Sequence, residues 1–171
     1  MERYEILKEI YKEANLEIDD LLLLESFQIA YLPGMIPEKE FAGVLAARPE
    51  IKKFLGTKCP QFTGFVDSLL QKYPKPVSPE ELTGYSYKVV WTIADLLVYN
   101  KCPEVYDRLP FHDWDFNEVT NITSLKNKIV IDGGAGTGRV ALEAAGQAAT
   151  VYAVEPVARL REFIRAKAKV R

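Results

Sequence analysis

Three glycines at alternate positions, directly behind an apolar run and an acid, constrain this chain more than any other feature. The segment reads Lys128-Ile129-Val130-Ile131-Asp132-Gly133-Gly134-Ala135-Gly136-Thr137-Gly138. Ile129 to Ile131 suits a strand buried on both faces, as in parallel sheets. Val140 to Ala145 begins a helix, and Gly146 stands where it should end. Glycines let a backbone turn tightly and let a ligand approach the main chain. The helix N-terminus beyond the turn presents unpaired N–H groups and a positive dipole end.

A second strand follows, Val151-Tyr152-Ala153-Val154, with Glu155 and Pro156 at its carboxyl end. Glu155 lies 23 residues after Asp132. In a βαβ unit that spacing puts the acid on the neighbouring strand, beside the glycine turn. A carboxylate there accepts hydrogen bonds from ribose hydroxyls, and ligands of open α/β sheets sit at this end of the strands. The dinucleotide fingerprint G-x-G-x-x-G fails in every register; begun at Gly134, its third glycine falls on Arg139.

The pattern acid-x-Gly-x-Gly-x-Gly resembles the first motif of class I S-adenosylmethionine-dependent methyltransferases, with Glu155 as the acid of their second motif. The resemblance covers residues 128–171. It implies that Asp132 helps hold the amino group of the cofactor's methionine end. It implies that the loop Gly133, Gly134, Ala135, Gly136 and Gly138 lines the cofactor. Glu155 would bind the ribose hydroxyls, and Pro156 would contact adenine. Two acids also suit a cofactor that carries a sulfonium cation. Arg139 fits either a partner carboxylate or a solvated first helical turn.

The expected class is therefore α/β. A helical N-terminal cap over residues 1–124 precedes an incomplete Rossmann-like methyltransferase domain over 125–171, with the first two parallel strands and their helices. A complete domain of that family has a seven-stranded sheet. This chain supplies two strands, so it reads as a fragment whose adenine-side and substrate-side motifs would follow Arg171, inactive by itself.

Ahead of the motif the periodicity is helical, with proline punctuation. Helices are expected over 2–14, 19–31, 37–47, 49–55 (stopped by Gly56), 61–72 and 79–100. The last has the strongest start: Ser78 as cap, Pro79 at the first position and Glu81 closing a capping box. Leu82, Tyr85, Val89, Ile93, Leu96 and Leu97 then recur at helical spacing and read as core rather than a substrate wall. Pro103 starts a short helix that Pro110 stops. His112 reads as a surface or capping residue, and Trp114 and Phe116 as packing anchors. The basic segment after Val157, ending at Arg171, reads as an amphipathic helix with a solvated outer face.

Charge excludes little beyond a general polyanion binder: the net charge is −2. Nucleic acid is not expected as a partner; a small-molecule substrate is. No apolar run approaches the ~20 residues that cross a bilayer, and the N-terminus lacks a basic start and apolar core. The expected location is cytoplasmic. Cys59 and Cys102 match no metal or redox spacing, and no metal is expected. The free edge of the first strand is expected to pair with a second copy of the chain or with a separate piece of the same polypeptide, unless the N-terminal helices fold back and cover it. Two other readings stand beside the methyltransferase: an NAD-type nucleotide-binding oxidoreductase, and a non-catalytic helical interaction module.

Overall fold

The computed structural model describes residues 9–110 and 115–170. The expectations for residues 2–8, His112 and Trp114 fall outside them. Described residues form two compact units, one over 11–101 and the other over 102–170 together with residues 9 and 10. Residues 102–124 thus go with the strand-bearing unit. The chain is mostly helical, with one parallel sheet of two strands.

The first unit is all helix. It takes up residues 11 and 12 of a helical stretch over 9–12, which ends before Asn15, whose φ is 46°. The expected helix over 19–31 is instead two, a 3-10 helix Ile18–Leu23 and α1 (Ser26–Tyr31). Each has its own start. Asp20 accepts the Glu17 N–H at 2.7 Å, and Gln28 accepts the Glu25 N–H at 2.8 Å. A polar side chain that satisfies an orphan N–H begins a helix where apolar periodicity alone runs through.

Next come α2 (Glu38–Ala47), capped by Pro37, and α3 (Pro49–Lys58). Gly56 does not stop α3; the helix ends at Cys59, whose N–H bonds Leu55 O at 2.9 Å. A short 3-10 turn, Pro60–Phe62, leads into α4 (Thr63–Lys72). The expected helix 79–100 breaks into α5 (Pro79–Thr92) and α6 (Ala94–Lys101). Between them Ile93 leaves helical geometry, with ψ 24°, and buries its side chain. The capping box at its start forms as expected, with Ser78 Oγ 3.2 Å from the Glu81 N and Glu81 Oε2 3.0 Å from the Ser78 N.

Phe41, Leu21, Leu24, Ile29, Leu45, Ile51, Leu55 and Leu97 are the fully buried heart of this unit. Val89 and Ile93 join it, and Leu82, Tyr85 and Leu96 pack against it, so the periodic side of α5 and α6 is core. Among these apolar groups, buried Asn100 donates to buried Gln28 at 3.0 Å and to Leu96 O at 2.7 Å.

The second unit contains α7 (Pro103–Tyr106), α8 (Asn117–Thr120), β1 (Ile129–Gly133), α9 (Arg139–Ala145), β2 (Thr150–Val154) and α10 (Ala158–Val170). β1 and β2 pair in parallel, Ile129 against Thr150 through Gly133 against Val154. The expectation that β1 is buried on both faces is corrected. Exposure alternates along both strands in register. Ile129, Ile131, Tyr152 and Val154 share an open face, and Ile131 is 70% exposed. Val130 and Val151 lie half-buried on the face that also bears Asp132. A two-stranded sheet with helix cover on one side leaves its other apolar face uncovered, whatever its strand composition.

Candidate functional site at the glycine turn

The turn between β1 and α9 has the backbone that its sequence demands. Gly134, Gly136 and Gly138 adopt φ of 75°, 54° and 78°, a region costly for any residue with a Cβ. The N–H groups of Gly134 and Ala135 both bond Val154 O, at 2.9 and 3.0 Å, and fasten the turn to the end of β2. Space differs along it. A Cβ built on Gly133 or Gly134 would meet nothing within 4 Å, whereas one on Gly138 would lie 2.9 Å from Ile164 of α10. The first glycines border open space, and the last admits a helix. Ala135 and Thr137 point inward and are buried.

Glu155 follows β2 and is 8% exposed. Its carboxylate accepts the Gly136 N–H at 2.9 Å and the Val157 N–H at 2.8 Å. The two acids' elements therefore meet at the turn, since Glu155 grips the loop that Asp132 precedes. Each carboxylate oxygen retains a further lone pair beyond the bond it makes. Pro156 is exposed, and its carbonyl, like that of Glu155, accepts from Arg161, at 2.7 and 2.8 Å.

Asp132 differs from Glu155. One of its oxygens interacts with the Ala141 backbone in the first turn of α9. Its Oδ2 is buried and has no hydrogen-bond partner among the described residues. Burial pushes the Asp132 carboxyl above its ordinary range, opposed only by the Ala141 bond. Native proteins rarely leave such an atom unsatisfied, and the cost is that of its full desolvation.

The structure also brings in residues that the sequence reading passed over. Asp107, just after α7, receives Arg139 Nε at 3.2 Å and Lys167 Nζ at 2.9 Å, and its carbonyl accepts from Arg139 Nη2. Lys167 also donates to Thr137 O at 3.2 Å, inside the glycine turn. Burial raises the Asp107 carboxyl, but Thr137, Lys167 and Arg139 outweigh it and hold the group below its usual value. This settles Arg139: it meets a carboxylate. The solvated outer face expected of α10 is present, with Arg159, Glu162, Arg165 and Lys169 exposed, but two of its basic residues are engaged inward. Lys167 and Arg161 are spent on Asp107, the glycine turn and the 155–156 carbonyls, while Arg159 and Glu162 do stay exposed as an i,i+3 pair. Nothing local marks Asp107, because Thr137, Arg139 and Lys167 are all remote from it in sequence.

Cys59 and Cys102 are not joined in a disulfide. Among the described residues no helix is long and apolar enough to cross a membrane. No protein-family model, curated protein or solved structure matches the chain.

Proposed function

We propose that the glycine turn binds S-adenosylmethionine and that the protein belongs to a methyltransferase of Rossmann-like architecture, acting on a small-molecule acceptor. The buried, unpartnered Oδ2 of Asp132 carries this reading. It is a carboxylate oxygen lacking a donor, beside a turn whose first glycines border open space. An ammonium group, such as that of the cofactor's methionine end, supplies the missing charge and hydrogen bond. Glu155 holds the loop through Gly136 and keeps lone pairs for ribose hydroxyls. Gly134 keeps side chains out of the space that the ligand would fill.

Bound S-adenosylmethionine supplies an electrophilic methyl group on sulfonium. In-line transfer of that group needs chiefly positioning by the protein. That suits a site whose chemistry is two acids and a glycine backbone. A cytoplasmic location and self-association through the free edge of β1 belong to the same proposal. The edge is motivated by a sheet of two strands, fewer than an independent sheet usually needs.

Calorimetric titration of the chain with S-adenosylmethionine, its demethylated product and NAD tests the reading. The first two should bind and NAD should not. Asp132→Asn should abolish much of that binding, since it removes the charge, yet raise the stability of the free chain by up to about 1 kcal/mol. The sign follows from the direction of the shift. Asp132 is raised when folded, so the native state binds the proton more tightly, and stability falls as pH rises from the unfolded value through the folded one. The gain from Asn should therefore be present at neutral pH and vanish in acid. Tight NAD binding without S-adenosylmethionine binding sinks the assignment.

A further inference from the structure

The helical unit holds a groove of about 470 Å³ that the methyl-transfer reading does not use. Lys39, Lys72, Lys75, Tyr73, Tyr85 and Val77 line it, from α2, the end of α4, residues 73–77 and α5. Its volume falls in the range of about 300–1,000 Å³ that small-molecule sites occupy.

Its charge is unbalanced. The lining carboxylate, Glu81, is engaged by Ser78, whose backbone and hydroxyl bonds hold it below the usual carboxylate range. Lys72 pairs with Glu38 at 2.7 Å, but both side chains are exposed, where such pairs contribute little and exchange readily. Lys75 has no hydrogen bond or ion pair among the described residues. Against the carboxylates of Glu81 and of Glu38, the partner of Lys72, the three ammonium groups leave the groove a net positive charge.

Its apolar side is equally defined. Lys39 Nζ lies 5.8 Å from the Tyr85 ring centroid, and Lys72 Nζ 5.2 Å from that of Tyr73. Hydrogen bonding to Tyr85 raises the Lys39 pKa; Glu38 and then Tyr73 do so for Lys72. Glycine makes the floor: a Cβ on Gly43 would lie 2.7 Å from both Tyr85 Cδ2 and Val77 Cγ2. Only a residue without a side chain lets α5 and residues 73–77 close on α2 in this way.

We infer that this groove binds a small organic anion, an aromatic body against Tyr73, Tyr85 and Val77 that carries a carboxylate or phosphate to the lysines. Both parts of the ligand are needed. A bare anion gains nothing from the rings, and a neutral aromatic leaves the ammonium field unanswered. The inference is independent of what binds at the glycine turn.

An NMR titration of the 171-residue chain tests it, with phenyl phosphate, benzoate, benzyl alcohol and inorganic phosphate as probes. Phenyl phosphate or benzoate should shift the amides of residues 39, 43, 72–77 and 85 saturably. Whichever binds tighter identifies the head group that the lysines match. Benzyl alcohol and inorganic phosphate should bind at least about tenfold more weakly. The double variant Lys39→Gln, Lys75→Gln should weaken the better anion at least about fivefold, with amide shifts elsewhere unchanged. Equal binding of benzyl alcohol, equal binding of inorganic phosphate, shifts centred outside the groove, or no saturable shift up to about 20 mM ligand would each overturn it.

Discussion

The helical unit and the strand-bearing unit hold themselves together by different means. In the first, Phe41, Leu21, Ile29 and Leu55 are wholly out of water; buried Asn100 bonds Gln28, and buried Asp20 bonds the Glu17 amide and Lys101. In the second, the sheet leaves Ile129, Ile131, Tyr152 and Val154 exposed. Fewer apolar side chains are buried there, Leu125, Leu142, Val157 and Leu160 among them, and polar ties join them: Glu155 on the Gly136 and Val157 amides, and Asp107 on Arg139 and Lys167. Apolar burial is non-directional and tolerates varied backbones. Hydrogen-bonded carboxylates dictate where a particular N–H or cation must sit. The candidate site lies in the unit where such directional bonds hold the backbone of the glycine turn.

That contrast can be broken at several places. The largest effect should come from Phe41→Ala, which opens a cavity in the helical core and should cost about 3–5 kcal/mol. Urea denaturation followed by circular dichroism checks it. A loss under about 1 kcal/mol would mean that this core is not close-packed.

Gly138→Ala comes next. It combines a φ of 78° with a Cβ 2.9 Å from Ile164, and the two costs together should reach about 2–4 kcal/mol. Gly134→Ala keeps the strained φ but points into open space, so it should cost only about 1–2 kcal/mol. Equal losses in thermal melts of the two variants would show that α10 does not press on the turn.

Asp107→Asn should cost about 1–2 kcal/mol at neutral pH, because it weakens charge-assisted bonds to Arg139 and Lys167. The folded group titrates below its unfolded value. Its contribution is complete above about pH 4 and is lost as pH falls through the folded pKa. Wild type and variant should therefore converge in acid. A difference that persists undiminished at low pH would refute a role for the charge.

The smallest effect should be that of Ile131→Thr, within about 0.5 kcal/mol, since the side chain is 70% exposed. Light scattering on the same variant sharpens the comparison. If the open face and edge of β1 join copies of the chain, the assembled fraction should fall although stability does not.

Local chemistry was legible from the residues. Ser78, Pro79 and Glu81 start α5 because the bonds they make span three residues. Gly134, Gly136 and Gly138 take positive φ because no other residue does so cheaply. Strand, turn, helix and second strand followed in the expected order, with Glu155 at the turn.

Long-range chemistry was decided only by the tertiary structure. Glu25 and Gln28 start α1 with a local capping box, and only the fold adds Asn100, 72 positions away, as a second donor to the same oxygen. Apolar periodicity runs unbroken through Ile93, yet packing turns the chain there and buries the side chain. Asp107 gains its meaning from Arg139 and Lys167, 32 and 60 residues distant. An apolar strand composition states what Ile129 and Ile131 can bury; whether they are buried depends on a covering layer that no strand encodes in its own residues.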